Sequence, residues 1–190
     1  MPVLPLRGLL LATLVALGTA AFAAPAPAAA SRPTTFELFM GQSTVSGYSA
    51  NRASVHVVWR SAGGALKRDA VYTAAKRNGY WEAASDNGQV VRPGDTLQAT
   101  VNGVKHRLVI PAFSIVCDQV KDSFHGKAPA DSKVGLHYRS GDPADPWVDL
   151  PVRADTSGHW SYAPGFDITE NIFAYARWHS AAGDVVTDNT

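Results

Sequence analysis

The amino-acid sequence predicts an all-β chain made of two tandem antiparallel β-sandwich modules behind an export leader. Three observations carry this expectation. Short apolar-alternating segments recur between turn residues, no helical period is sustained after residue 30, and the chain resembles itself at an offset of 79 positions.

The leader comes first. Residues 1–30 contain no acidic side chain; Arg7 precedes the apolar run 8–22, and an Ala/Pro-rich stretch follows to Ala30. This is the anatomy of a cleaved signal peptide. The run is shorter than the ~20 residues a membrane span needs, and small-residue patterns suited to cleavage follow at Ala21-Phe22-Ala23 and Ala28-Ala29-Ala30. Residues 1–30 therefore stand apart from the fold, and the remainder divides into modules at 33–111 and 112–190.

The internal repeat defines the elements in order. The offset superposes Gly47 on Gly126, Val55 on Val134, Arg60-Ser61 on Arg139-Ser140, Gly79 on Gly158 and Trp81 on Trp160, while Trp59 meets Tyr138 and Leu38 meets Cys117. Each copy opens on an apolar pair, Phe36 and Leu38 or Ile115 and Cys117. Alternating strands follow, the first containing Val55, Val57 and Trp59, the second Val134, Leu136 and Tyr138. After a turn come strands around Val71-Tyr72-Thr73 and Val148-Asp149-Leu150. Arg77-Asn78-Gly79 and Thr156-Ser157-Gly158 then form tight turns that deliver Trp81 and Trp160, since Gly accepts the positive φ a hairpin turn requires. The closing strands are 96–101 and 107–110 in the first copy, 172–177 and 184–187 in the second.

Gly79-Tyr80-Trp81, Gly158-His159-Trp160, the Gly94-Asp95 turn before Leu97-Gln98-Ala99, and the strand ending at Asn102-Gly103 form one pattern. It resembles the bacterial immunoglobulin-like repeats of exported and cell-surface proteins. Such repeats often finish in an Asp-x-x-Gly-Asn turn, whereas the turns here read Asn102-Gly103-Val104 and Ala182-Gly183-Asp184. The resemblance implies immunoglobulin-like sandwiches with an adhesive, spacer or ligand-binding role, and it does not imply catalysis.

Composition narrows the partners. Arg7 is the only charge in 1–30, so its removal takes the chain from a formal net charge of +1 to zero. A neutral chain without a basic run has no field to attract nucleic acid or anionic lipid. One cysteine, Cys117, allows no intramolecular disulfide. It replaces Leu38 of the first copy and is expected as a buried apolar thiol. No cysteine stands at a cleavage point and no hydrophobic tail follows Asp188-Asn189-Thr190, so neither a membrane span nor a lipid anchor is expected. Secretion or periplasmic residence is the expected localisation.

For a contact site the sequence nominates Trp147, Asp145 and Trp178. Trp147 and Trp178 have no tryptophan counterpart in the first copy, and Trp147 ends the turn-rich stretch Asp142-Pro143-Ala144-Asp145-Pro146-Trp147. An exposed aromatic face beside carboxylates suits a sugar ring or a protein partner. The alternative for Trp147 is that it folds back over a sandwich edge or packs against the other module, and Trp178 lies within or just after a strand. Trp59, Tyr138, Trp81 and Trp160 recur in both copies and belong to the core the copies share. Asp142, Asp145 and Asp149 lack the spacing of a calcium loop, and the six histidines form no zinc motif, so no metal or cofactor is expected. No nucleophile elbow or phosphate loop is present, and no catalytic residues are nominated. The expected function is an exported, non-catalytic binding or adhesion module for a protein or glycan at the cell envelope or outside the cell. A structural spacer or envelope assembly subunit is the alternative, with a secreted hydrolase behind both.

Overall fold

The computed structural model describes residues 32–190 except 141, 143 and 169–171, so the expected leader lies outside the described residues. The first half supplies β1 (Thr35–Phe39), β2 (Thr44–Tyr48), β3 (Ser54–Arg60), β4 (Leu66–Thr73), β5 (Tyr80–Ala84), β6 (Thr96–Val101) and β7 (Val104–Val109). The second supplies β8 (Ser114–Asp118), β9 (Ser123–Lys127), β10 (Lys133–Arg139), β11 (Val148–Arg153), β12 (His159–Tyr162), β13 (Phe173–His179) and β14 (Val185–Asn189). The chain is all-β, and one 3-10 turn, Asp86–Gly88, is the only helical element among the described residues.

The two halves repeat one pairing order. β1-β2-β5 corresponds to β8-β9-β12, and β4-β3-β6-β7 corresponds to β11-β10-β13-β14. Period-two alternation explains the central strands: Val55, Val57 and Trp59 of β3 are each 0% exposed, while His56 and Val58 between them face outward. On β10, Val134, Leu136 and Tyr138 point inward in the same way. Aromatic contacts close each sandwich: Phe36 meets Trp81 edge-on at 5.7 Å in the first half, and Phe124 lies 5.1 Å from Tyr138 in the second.

Each repeated Gly–Trp pair has a specific cause. Gly47 on β2 lies opposite Trp81 on β5, and Gly126 on β9 lies opposite Trp160 on β12. In both cases the indole covers the glycine, and a Cβ there would fall 2.5 Å from the Trp81 ring or 3.1 Å from that of Trp160. A backbone oxygen of the neighbouring strand stands closer still, Thr35 O at 2.1 Å and Ser114 O at 1.8 Å, so the indole and the adjacent strand together require glycine at both positions.

The halves are also joined, which the expectation of two purely antiparallel sandwiches does not contain. β1 runs parallel to β14, with Leu38 opposite Val186, and fuses three strands of the first half to four of the second in one seven-stranded sheet. Asp184 seals this junction. Its Oδ1 accepts the Phe36 N–H at 3.0 Å and lies 2.6 Å from His106 Nε2, while Oδ2 accepts the Ser180 hydroxyl at 2.8 Å. Asp184 is 2% exposed, so these partners compensate the desolvation of its charge. The buried apolar residues of both halves form one cluster.

Tyr138 yields a test of the second core. It is buried beneath Phe124, Tyr162 and Phe166, and this burial, with the neighbouring Tyr162 phenol, pushes its phenol up to about 12. The folded value exceeds the unfolded one of about 10, so the folded state holds the phenolic proton more tightly. The resulting stability is complete below about pH 10 and is lost as pH rises through the folded value. Urea midpoints should therefore fall between pH 10 and 12 in the parent, and fall less in Tyr138→Phe. Parallel curves for the two would refute the assignment.

Candidate functional site

The outer face of β10, β11 and β13 gathers the side chains with recognition chemistry. Alternation sends His137 and Arg139 outward from β10, and Phe173, Tyr175 and Arg177 outward from β13. Sheet register then sets His137 between Asp149 and Tyr175, and Arg139 opposite Phe173. Trp147, exposed just before β11, leans over this face with its ring centroid 5.6 Å from that of Tyr175.

The face is held by stacking. The Arg139 guanidinium lies 5.1 Å from the Trp147 ring and 5.7 Å from that of Phe173, and the Arg177 guanidinium lies 5.0 Å from the Tyr175 ring. His137 stacks on Tyr175 at 4.6 Å with planes 12° apart, and its Nδ1 is bonded to Asp149. Among the described residues neither arginine forms a salt bridge, and the Nε atoms of both are shielded from solvent without a hydrogen-bond partner. The arrangement offers π faces for an apolar ring and two cations with donors to spare.

The nominated residues separate. Trp147 belongs to this face. Asp145 stays exposed in the preceding turn, where its carboxylate accepts the Ser140 hydroxyl and its N–H bonds Asp142 O at 3.1 Å. Trp178 lies opposite Val134 and Val186 and packs, partly buried, against the core, away from Trp147. Its strand parity accounts for this, since Tyr175 and Arg177 occupy the outward positions. Arg139, Tyr175 and Phe173 were not singled out from the sequence, although period-two spacing on two neighbouring strands was the signal that places them together. Asp149 lies on β11 and bonds His137, while Asp142 caps the Ala144 N–H at 2.8 Å. The carboxylates of that stretch thus serve different partners.

Two concavities away from this face are committed to structure or lack catalytic contacts. A cleft of about 320 Å³ in the first half is lined by Lys67, Arg92 and Asp95 among others. Its two buried charges neutralise each other: Lys67 Nζ lies 2.7 Å from Asp95 Oδ2 and donates to Val90 O at 2.6 Å. The same Oδ2 accepts Trp59 Nε1 at 3.0 Å and Arg92 N at 3.1 Å. A second cleft, about 460 Å³, contains His125, Asp155, His159 and Ser161. Asp155 accepts Ser157 Oγ at 2.7 Å and His159 N at 2.9 Å, which hold its carboxyl below the usual range and assign it to the turn. No hydrogen bond joins Ser161 to either imidazole among the described residues.

No protein-family model and no curated protein matches the chain. Among solved structures it is similar to a tetra-tandem repeat in the extending region of a large adhesion protein, at 14% identity and a TM-score of 0.31, covering 83% of this chain and 48% of that one. It is also similar to the pullulanase from Anoxybacillus sp. LM18-11, at 11% identity and a TM-score of 0.27, covering 77% of this chain and 24% of that one. The pullulanase type I from Bacillus subtilis str. 168 complexed with maltose gives 11% identity and a TM-score of 0.26, covering 76% and 23%. The chain thus spans less than half the length of each, and these likenesses identify no family.

Proposed function

We infer that the chain is an exported, non-catalytic binding module whose outer β10–β11–β13 face takes an acidic glycan. The supporting observation is the pair Arg139 and Arg177, each stacked on an aromatic ring and neither in a salt bridge among the described residues, on the face over which the exposed Trp147 leans. A pyranose lays its C–H face on an indole or phenol ring, and a carboxylate on that sugar meets the guanidinium in a charge-assisted hydrogen bond. The leader-like first thirty residues support a location in the periplasm or outside the cell.

Titrating the purified chain with an oligogalacturonate and with a neutral oligosaccharide of equal length, followed by calorimetry, tests this. The acidic ligand should bind and the neutral one should bind more weakly. Trp147→Ala should weaken acidic-ligand binding at least ~10-fold, as loss of an aromatic anchor does, with the melting temperature nearly unchanged. Equal affinity of parent and variant, or no binding of the acidic ligand, would remove this face from the function. Acidic-protein binding that survives excess oligogalacturonate would favour a protein partner instead.

A further inference from the structure

The junction between the halves leaves its own counterpart open. β1 and β14 join a three-stranded and a four-stranded sheet, whereas the equivalent strands β8 and β7 end the β8-β9-β12 and β4-β3-β6-β7 sheets with no neighbour on that side among the described residues. The equivalence extends to single residues. Cys117 corresponds to Leu38 at the offset of 79. Val104 corresponds to Val186, because each lies opposite a residue, Val101 or Trp178, that in turn lies opposite the equivalent Val55 or Val134.

Burial differs sharply between the joined and the open positions. Leu38 and Val186, directly opposite one another, are 1% and 0% exposed. Val104 is 73% exposed, Val116 is 47% exposed, and Cys117 is only partly buried. An edge strand with exposed apolar side chains is a template for strand addition.

We propose that this chain assembles head to tail, β8 of one copy pairing parallel with β7 of a second copy in the register that joins β1 to β14. That register sets Cys117 opposite Val104 and the Asp118 carboxylate opposite the exposed Lys105 of the other copy, an attractive cross-strand pair. It converts the two remaining sheets into another seven-stranded sheet. One chain cannot make this pair alone, since only residues 110–113 separate β7 from β8 and parallel neighbours need a crossover of about a dozen residues or more.

The polar seal is already in place on β8. At the internal junction the Phe36 N–H depends on Asp184, carried on the five-residue turn between β13 and β14. The matching Ile115 N–H is capped at 3.0 Å by Asp188 of its own half. The two-residue turn Asn102-Gly103 before β7 therefore need not supply an acid. Because the two surfaces differ, the contact is heterologous, and it propagates into a ring or a filament. This inference is independent of the aromatic face.

Sedimentation velocity over a roughly hundredfold concentration range tests it, with assembly beyond a dimer expected for a heterologous contact. Lys105→Asp, on an exposed position of β7, should hold the chain monomeric over the same range while leaving the melting temperature unchanged. Under mild oxidation, Val104→Cys should yield a ladder of covalent oligomers whose peptide map joins position 104 of one chain to Cys117 of another. A monomeric parent at every concentration would overturn the proposal. So would association indifferent to Lys105→Asp, or a map joining position 104 only to itself.

Discussion

Replacing Asp95 by alanine is expected to destabilise the protein by about 3–5 kcal/mol, the range for breaking one side of a buried ion pair. Asp95 is 2% and Lys67 5% exposed, and the substitution leaves the ammonium without its counter-charge. It also strips the Trp59 indole N–H, at the centre of the first core, of its acceptor. Lys67→Met should cost less, because the carboxylate keeps the donors Trp59 Nε1 and Arg92 N. The double variant Lys67→Met/Asp95→Leu should cost less than the sum of the two single changes, since no lone charge remains. Urea unfolding of the three variants at neutral pH measures these differences. An Asp95→Ala cost under about 1 kcal/mol would mean that water entering the adjoining cleft solvates Lys67 as well as the carboxylate does.

That ion pair also marks a limit of inference from the sequence. Lys67 sits on a strand and Asp95 in a turn after Gly94, both ordinary places for solvated charge, and nothing in local spacing brings them together. The second half offers no echo, with Pro146 at the offset position of Lys67 and Tyr138 in place of Trp59. The strands themselves were legible, because alternation is a local signal and recurred twice. Trp147 was legible as an exposed aromatic, but its partners Arg139 and Tyr175 lie on two other strands and become neighbours only through register. Trp178 shows a related limit, since a tryptophan without a counterpart is novel on either face of a sheet and only strand parity places it against the core. The parallel β1–β14 pairing was hidden most deeply, since it joins residues nearly the whole described chain apart and rests on Asp184, read from the sequence only as a turn residue at the start of the last strand.

Gly126→Ala is expected to be the most damaging conservative change in the second half, costing about 3 kcal/mol, near the top of the range for overpacking. A Cβ at that position would stand 1.8 Å from the backbone oxygen of Ser114 on β8 and 3.1 Å from the Trp160 ring. A backbone oxygen cannot rotate aside as a flexible side chain does, so β8 or β9 must shift. Gly47→Ala meets the same obstacle in the first half, with Thr35 O at 2.1 Å and the Trp81 ring at 2.5 Å. Gly135→Ala is the control: it also lies in a strand, yet its nearest neighbour is the His137 side chain at 3.3 Å, and its cost should stay under about 1 kcal/mol. Calorimetry on the three then reports how the halves cooperate. The shared seven-stranded sheet and single apolar cluster predict one transition, moved down by Gly47→Ala and Gly126→Ala alike. If each substitution instead shifts a separate transition, the β1–β14 junction is weaker than either core and the halves unfold independently. Should Gly126→Ala melt with the parent, the close approach of the β8 backbone and the Trp160 ring to Gly126 would not be what retains glycine in both copies of the repeat.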